Sequence, residues 1–172
     1  MTDINQLEEE KHILSLTIDN EAGALGRVVG LFSGRGYNIN SLTVSEIDRV
    51  KRLSRITITT SAPPHVIEHI VTLLERLIPV HKVRDLTVEG AFVERGTVLI
   101  KVAAKGSKRV EIMHLADQFD AKEVDSTDKS FVFQLCEMPA KLNEFIDLMK
   151  PYGIIELSRT GITAIARGSE GF

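Results

Sequence analysis

Residues 14–29 read LSLTIDNEAGALGRVV, and the spacing of the apolar residues changes halfway along them. Leu14, Leu16 and Ile18 alternate with Ser15 and Thr17, the period of two expected of a strand with one buried face. From Leu25 the period becomes helical: Leu25, Val28, Val29 and Phe32 fall at i, i+3, i+4 and i+7, and Gly34 and Gly36 mark the helix end. The stretch therefore predicts a strand that passes through a short turn into an amphipathic helix.

Outward from it the same alternation continues. Leu42 and Val44, then Ile56 and Ile58, alternate with polar residues and predict a hairpin. Pro63 and Pro64 suit a helix entry, Ile67, Ile70, Val71 and Leu74 form its stripe, Pro79 stops it, and residues 80–88 read as a last strand. The order recurs downstream: a strand at Val98, Ile100 and Val102; a helix at Ile112, Leu115, Ala116 and Phe119; strands at 121–126 and 130–136; a helix from Pro139 with Leu142, Phe145, Ile146 and Met149; a strand at 154–158. The fold class expected is α+β, two tandem ferredoxin-like βαββαβ domains. The boundaries are a mobile amino terminus at 1–11, a first domain at 12–89, a linker at 90–96 and a second domain at 97–172, with residues 168–172 a second mobile end. Domains this small bury only about 60% of their unfolded surface, and each sheet leaves one face bare, so a homodimer is expected.

Composition excludes several functions. The 172 residues are 43% hydrophobic and 26% charged, enough to fill a core. No apolar run approaches the ~18 residues of a membrane helix, and the acidic start is unlike a signal peptide, so the chain reads as cytoplasmic with no membrane partner. Net charge is -3, and each half balances its charges, with 10 Lys/Arg against 12 Asp/Glu in 1–89 and 11 against 12 in 90–172. That lacks the concentrated positive face of a nucleic-acid binder. His12, His65, His69, His81 and His114 show no metal-ligand spacing and read as surface or satisfied residues, and no phosphate loop or nucleophile elbow occurs. No catalytic residue, no metal site and no cofactor of the chain's own is expected. Cys136 ends an apolar run, 131–136, and reads as a buried, inert thiol.

The turn between the first strand and helix is the candidate site. Gly23 lets a ligand approach the backbone, the unpaired N–H groups of the helix's first turn favour a carboxylate, and the Asn20 amide both donates and accepts. The alternative is that Asn20 caps the helix and Gly23 relieves crowding. Asn38 and Ile39, in the segment 34–42, offer a second neutral polar group and an apolar wall, or form a glycine-rich turn. The charged stretch 46–55 reads as a solvated hairpin tip, with a contact surface for a partner protein as the competing view.

Residues 20–28, 30–33 and 35–39 together closely resemble the amino-terminal ACT domain of the small regulatory subunit of acetolactate synthase, also called acetohydroxyacid synthase. Residues 41–44, 53–58, 93–95, 99–102 and 159–162 continue the likeness over nearly the whole chain. The resemblance implies a regulatory ACT domain followed by an ACT-like carboxy-terminal domain, and a non-catalytic subunit that activates a large catalytic subunit carrying thiamine diphosphate, Mg and FAD. It implies feedback inhibition by valine or a related branched-chain amino acid at the interface of paired ACT domains. The effector residues would be Asn20, Gly23, Ala24 and Leu25 of one protomer with Asn38 and Ile39 of its partner. Asn40 stands where relatives often carry an acidic residue, and Gly96 replaces a more usual charged residue and reads as a bend in the linker. The alternative function is a free-standing ACT-domain sensor of amino acids acting on another enzyme or a transcription factor.

Overall fold

The structure is a computed structural model that describes residues 9–169 and 171. The mobile amino terminus expected at 1–11 lies mostly outside the described residues, although Glu10 and Lys11 already open the first strand; of the expected mobile tail, 170 and 172 lie outside them. The chain forms two compact units, one reaching to Val93 and taking in the stretch from Ala164, the other spanning Glu94–Thr163.

The first unit contains β1 (Glu10–Asp19), α1 (Ala24–Arg35), β2 (Ser41–Asp48), β3 (Leu53–Ala62), α2 (Pro64–Glu75), β4 (Val80–Asp85) and the short helix α3 (Leu86–Glu89). Its antiparallel sheet has the order β2-β3-β1-β4. Leu14, Leu16 and Ile18 of β1 and Ile56 and Ile58 of β3 meet Ala24, Val28 and Phe32 of α1 and Ile67, Ile70 and Leu74 of α2 in one buried core. Each large aliphatic taken out of water there stabilises the fold by about 1.5–3 kcal/mol. Pro64 starts α2, where its missing N–H has no cost, and Gly36 closes α1 at φ 71, donating to the carbonyls of Phe32 and Ser33.

The strand expected over 80–88 stops at Asp85. One carboxylate oxygen of Asp85 accepts the Thr87 N–H at 3.0 Å and caps α3, while the other lies 2.6 Å from His12 Nδ1. That local bond competes with the sheet ladder and turns the chain.

The second half contributes β5 (Phe92–Ala103), α4 (Lys108–Gln118), β6 (Lys122–Thr127), β7 (Ser130–Glu137), α5 (Pro139–Met149), a 3-10 turn at Lys150–Tyr152, β8 (Ile154–Arg159) and β9 (Thr163–Ala166). Its sheet order is β6-β7-β5-β8, with β9 pairing β5. Val98, Ile100 and Val102 pack with Phe131, Phe133, Leu135, Leu142, Phe145 and Met149. Cys136 is exposed, against the expectation of burial, because β7 alternates: Phe131, Phe133 and Leu135 face the helices, and Cys136 shares the other face with Gln134.

Two expected boundaries change, and with them the bend expected at Gly96. Residues 90–96 are not a linker, since β5 begins at Phe92. Gly96 is no bend: it is a buried strand residue opposite Glu137, and a Cβ there would stand 3.2 Å from Leu142 Cδ1. The second domain does not run to 172. From Ala164 the chain belongs to the first unit, where Arg167 N–H donates to the Ala91 carbonyl at 2.9 Å and buried Ala164 lines a cavity of about 220 Å³ with Ser15, Arg55 and Arg84. This tail stands over the sheet face that the helices leave bare. Among the described residues, no helix is long and apolar enough to cross a membrane.

Candidate functional site

Both β1 and β2 pair antiparallel with β3, so they run in the same direction and end together. The end of β1 delivers the turn at residues 20–23; the end of β2 delivers the hairpin tip. Gly23 has φ 86, a conformation that L side chains rarely adopt, with open space around its Cα. No side chain caps α1, so Asn20 does not play the capping role the sequence left open. Its Nδ2 instead donates to Glu46 Oε1 at 3.1 Å, and its backbone N–H to the Arg52 carbonyl at 2.7 Å.

The Ala24 amide folds back on the Glu21 carbonyl at 3.3 Å, and the helical ladder begins with Arg27 N–H to the Gly23 carbonyl at 3.0 Å. The amides of Leu25 and Gly26 between them have no acceptor among the described residues. With the helix macrodipole they give the turn partial positive character that suits a carboxylate. Ala24 is buried and seats the turn in the core; Leu25 is half-buried against that core, leaving its backbone as the group on offer.

Asn38 and Ile39 precede β2 and therefore sit at the opposite end of the sheet from Asn20, roughly 25 Å away at about 3.3 Å per strand residue. Within one chain the six expected effector residues do not come together. Asn38 is exposed; its carbonyl accepts the Thr60 hydroxyl at 2.6 Å, and its side-chain amide has no hydrogen-bond partner among the described residues. It lines a cavity of about 360 Å³ with Tyr37, Asn40 and Thr60. Ile39 is half-buried against its own core.

Sequence reasoning missed Glu46, placing it in a solvated hairpin tip. Only residues 49–52 form the turn, where Asp48 Oδ1 accepts the amides of Val50 and Lys51 at 2.9 Å each; Glu46 and Arg55 are strand residues. The sheet order was the missing signal, because it puts the β2–β3 tip beside the β1–α1 turn. Arg55 has its pKa lowered, first by burial and then by the charge of Arg84. Among the histidines, His12 is buried against Asp85, and His81 Nε2 lies 2.6 Å from Asp19 Oδ1 beside the candidate turn. No group of three or more His, Cys, Asp or Glu among the described residues is placed to hold a metal ion.

Comparison with known proteins follows this geometry. Residues 14–82 match the model of the AHAS small subunit-like ACT domain, and residues 95–168 match the small subunit of acetolactate synthase. The probable acetolactate synthase small subunit of Archaeoglobus fulgidus is 42% identical, covering 93% of this chain and 99% of that one. The acetolactate synthase small subunit of Haemophilus influenzae is 43% identical, covering 93% and 98%. The crystal structure of the acetolactate synthase small subunit from Thermotoga maritima superposes with a TM-score of 0.85 at 31% identity, covering 94% of this chain and 99% of that one. The second match runs past Thr163 into the stretch that belongs to the first unit. With an ACT domain at its amino end and nearly full-length likeness on both sides, this chain belongs to the acetolactate synthase small-subunit family.

Proposed function

We propose that this chain is the non-catalytic regulatory subunit of an acetolactate synthase in the cytoplasm, and that it acts as a homodimer. It activates the large catalytic subunit, which carries thiamine diphosphate, Mg and FAD, and it confers feedback inhibition by valine or a related branched-chain amino acid. The observation that carries the effector reading is the open helix start: the unaccepted amides of Leu25 and Gly26 stand behind a left-handed Gly23, with the Asn20 amide beside them.

The free edge of β2 supplies the other half. Among the described residues β2 pairs with β3 alone. Two copies that join their β2 edges about a two-fold axis pair those strands antiparallel, so the partner's β2 start meets this chain's β2 end. Asn38 and Ile39 of one protomer then face Asn20 and Gly23 of the other, completing a site that neither chain holds alone. The helix start takes the carboxylate, the asparagines the ammonium, and aliphatic side chains the hydrocarbon branch. Regulation needs only that the effector bind the less active state of the complex more tightly.

The test is reconstitution. Added to an acetolactate synthase catalytic subunit, the protein raises its rate and makes it sensitive to valine. If neither rate nor valine sensitivity changes, the reading fails.

A further inference from the structure

Glu46 stands near the end of the edge strand β2, exposed, with Oε1 on Asn20 Nδ2 at 3.1 Å and Oε2 at 3.5 Å from Arg49 Nε. A carboxylate accepts hydrogen bonds and has none to donate, so only the NH2 end of the Asn20 amide can face it. The Asn20 backbone is held as well, by its N–H to the Arg52 carbonyl at 2.7 Å. With the amide's orientation set, Asn20 turns Oδ1, its side-chain acceptor, away from the Glu46 carboxylate, with the second Nδ2 hydrogen beside it. Beside it are the Leu25 and Gly26 amides, which are donors without acceptors among the described residues.

The site thus presents donors for one end of a ligand and an acceptor, backed by a negative charge, for the other. We infer that Glu46 is the specificity-determining residue that makes this site read an α-ammonium group and reject the 2-keto acid of the same carbon skeleton. An ammonium donates to Oδ1 and is attracted by the carboxylate behind it. A keto oxygen is an acceptor set against an acceptor: it gives Oδ1 nothing to accept and is repelled by the carboxylate behind it. This inference rests on the proposed effector reading and adds a residue to it.

The test is calorimetry of the full chain with L-valine and with 3-methyl-2-oxobutanoate, for the wild type, Glu46→Gln and Glu46→Ala. Glutamine keeps the shape of glutamate, but its amide can turn either end toward Asn20, so the Asn20 amide is free to flip. The expected result is that the wild type prefers valine over the keto acid by at least about 100-fold. Both variants narrow that ratio about tenfold or more, mostly by losing valine affinity, with the circular dichroism spectrum and dimer mass unchanged. A wild type that binds no valine overturns the effector reading and this inference with it. Valine binding whose ratio to the keto acid is the same in folded Glu46→Gln and Glu46→Ala overturns this inference alone.

Discussion

Asn20 and Asn38 lie at opposite ends of one sheet, since β1 ends before Asn20 and the parallel-running β2 begins after Asn38. Residues so far apart cannot hold one amino acid from a single chain. Each is also peripheral to the core, which separates binding from folding. Asn38→Ala is expected to leave stability within about 0.5 kcal/mol, as surface substitutions usually do. Its loss of a hydrogen bond to a charged group should weaken valine binding by about tenfold or more. Urea denaturation and calorimetry check the two halves, and an unchanged valine affinity would count against the assignment.

Gly23→Ala imposes an L side chain at φ 86, where space is open but the backbone is strained. It should cost about 1 kcal/mol, and Gly23→Asn less, because asparagine tolerates the left-handed region. Equal urea midpoints for the two variants would remove the backbone argument.

Gly96→Ala tests close packing. The added Cβ would meet Leu142 Cδ1 at 3.2 Å, with Ile162 and Thr160 behind it at 3.8 Å. The leucine must shift from a fully buried position, and overpacking of this kind costs about 1–3 kcal/mol. A thermal or urea midpoint equal to wild type would show that the strand and α5 have room to spare.

Asp85→Ala removes the partner of buried His12 and the cap of α3 together. The expected loss is roughly 3 kcal/mol, the range for leaving a buried polar group without its partner and deleting a helix cap. A loss below about 0.5 kcal/mol would mean that the pair is incidental to the fold.

Lys101 Nζ lies 2.9 Å from Glu156 Oε2, and this hydrogen bond, with the charge of Lys101, holds the Glu156 carboxyl below its ordinary pKa. A carboxyl depressed in the folded state contributes stability above its unfolded pKa and loses that contribution as pH falls through the lower folded value. Lys101→Met should therefore raise the Glu156 titration midpoint seen by NMR, and the stability difference from wild type should vanish at low pH. A midpoint that stays in place would show the pair to be solvent-separated in solution.

Much of this was legible from period alone. The stripes Leu25–Phe32 and Ile67–Leu74 and the alternation at Leu14, Ile56, Val98 and Phe131 are read directly, because a core-facing residue must recur with its element's geometry. What escaped depended on partners distant in sequence. Nothing local marks Asp85 as a cap until His12, far away in the chain, is seen to fix its other oxygen. Cys136 was misplaced because an apolar run hides which face each residue takes, and Gly96 because Leu142 is 46 positions away. For the candidate site, Asn20 and Gly23 were visible as a turn before a helix, whereas Glu46 became meaningful only when the sheet order laid the hairpin beside that turn.

The shared site is tested most directly by complementation between protomers. Asn20→Ala and Asn38→Ala chains, co-expressed with different tags and purified as the mixed dimer, have one site carrying both lesions and one carrying neither. Valine calorimetry should then show little binding to either variant homodimer, and binding of wild-type affinity to the mixed dimer at about half the wild-type stoichiometry. A mixed dimer that binds no better than its parents would contradict a site built from two chains.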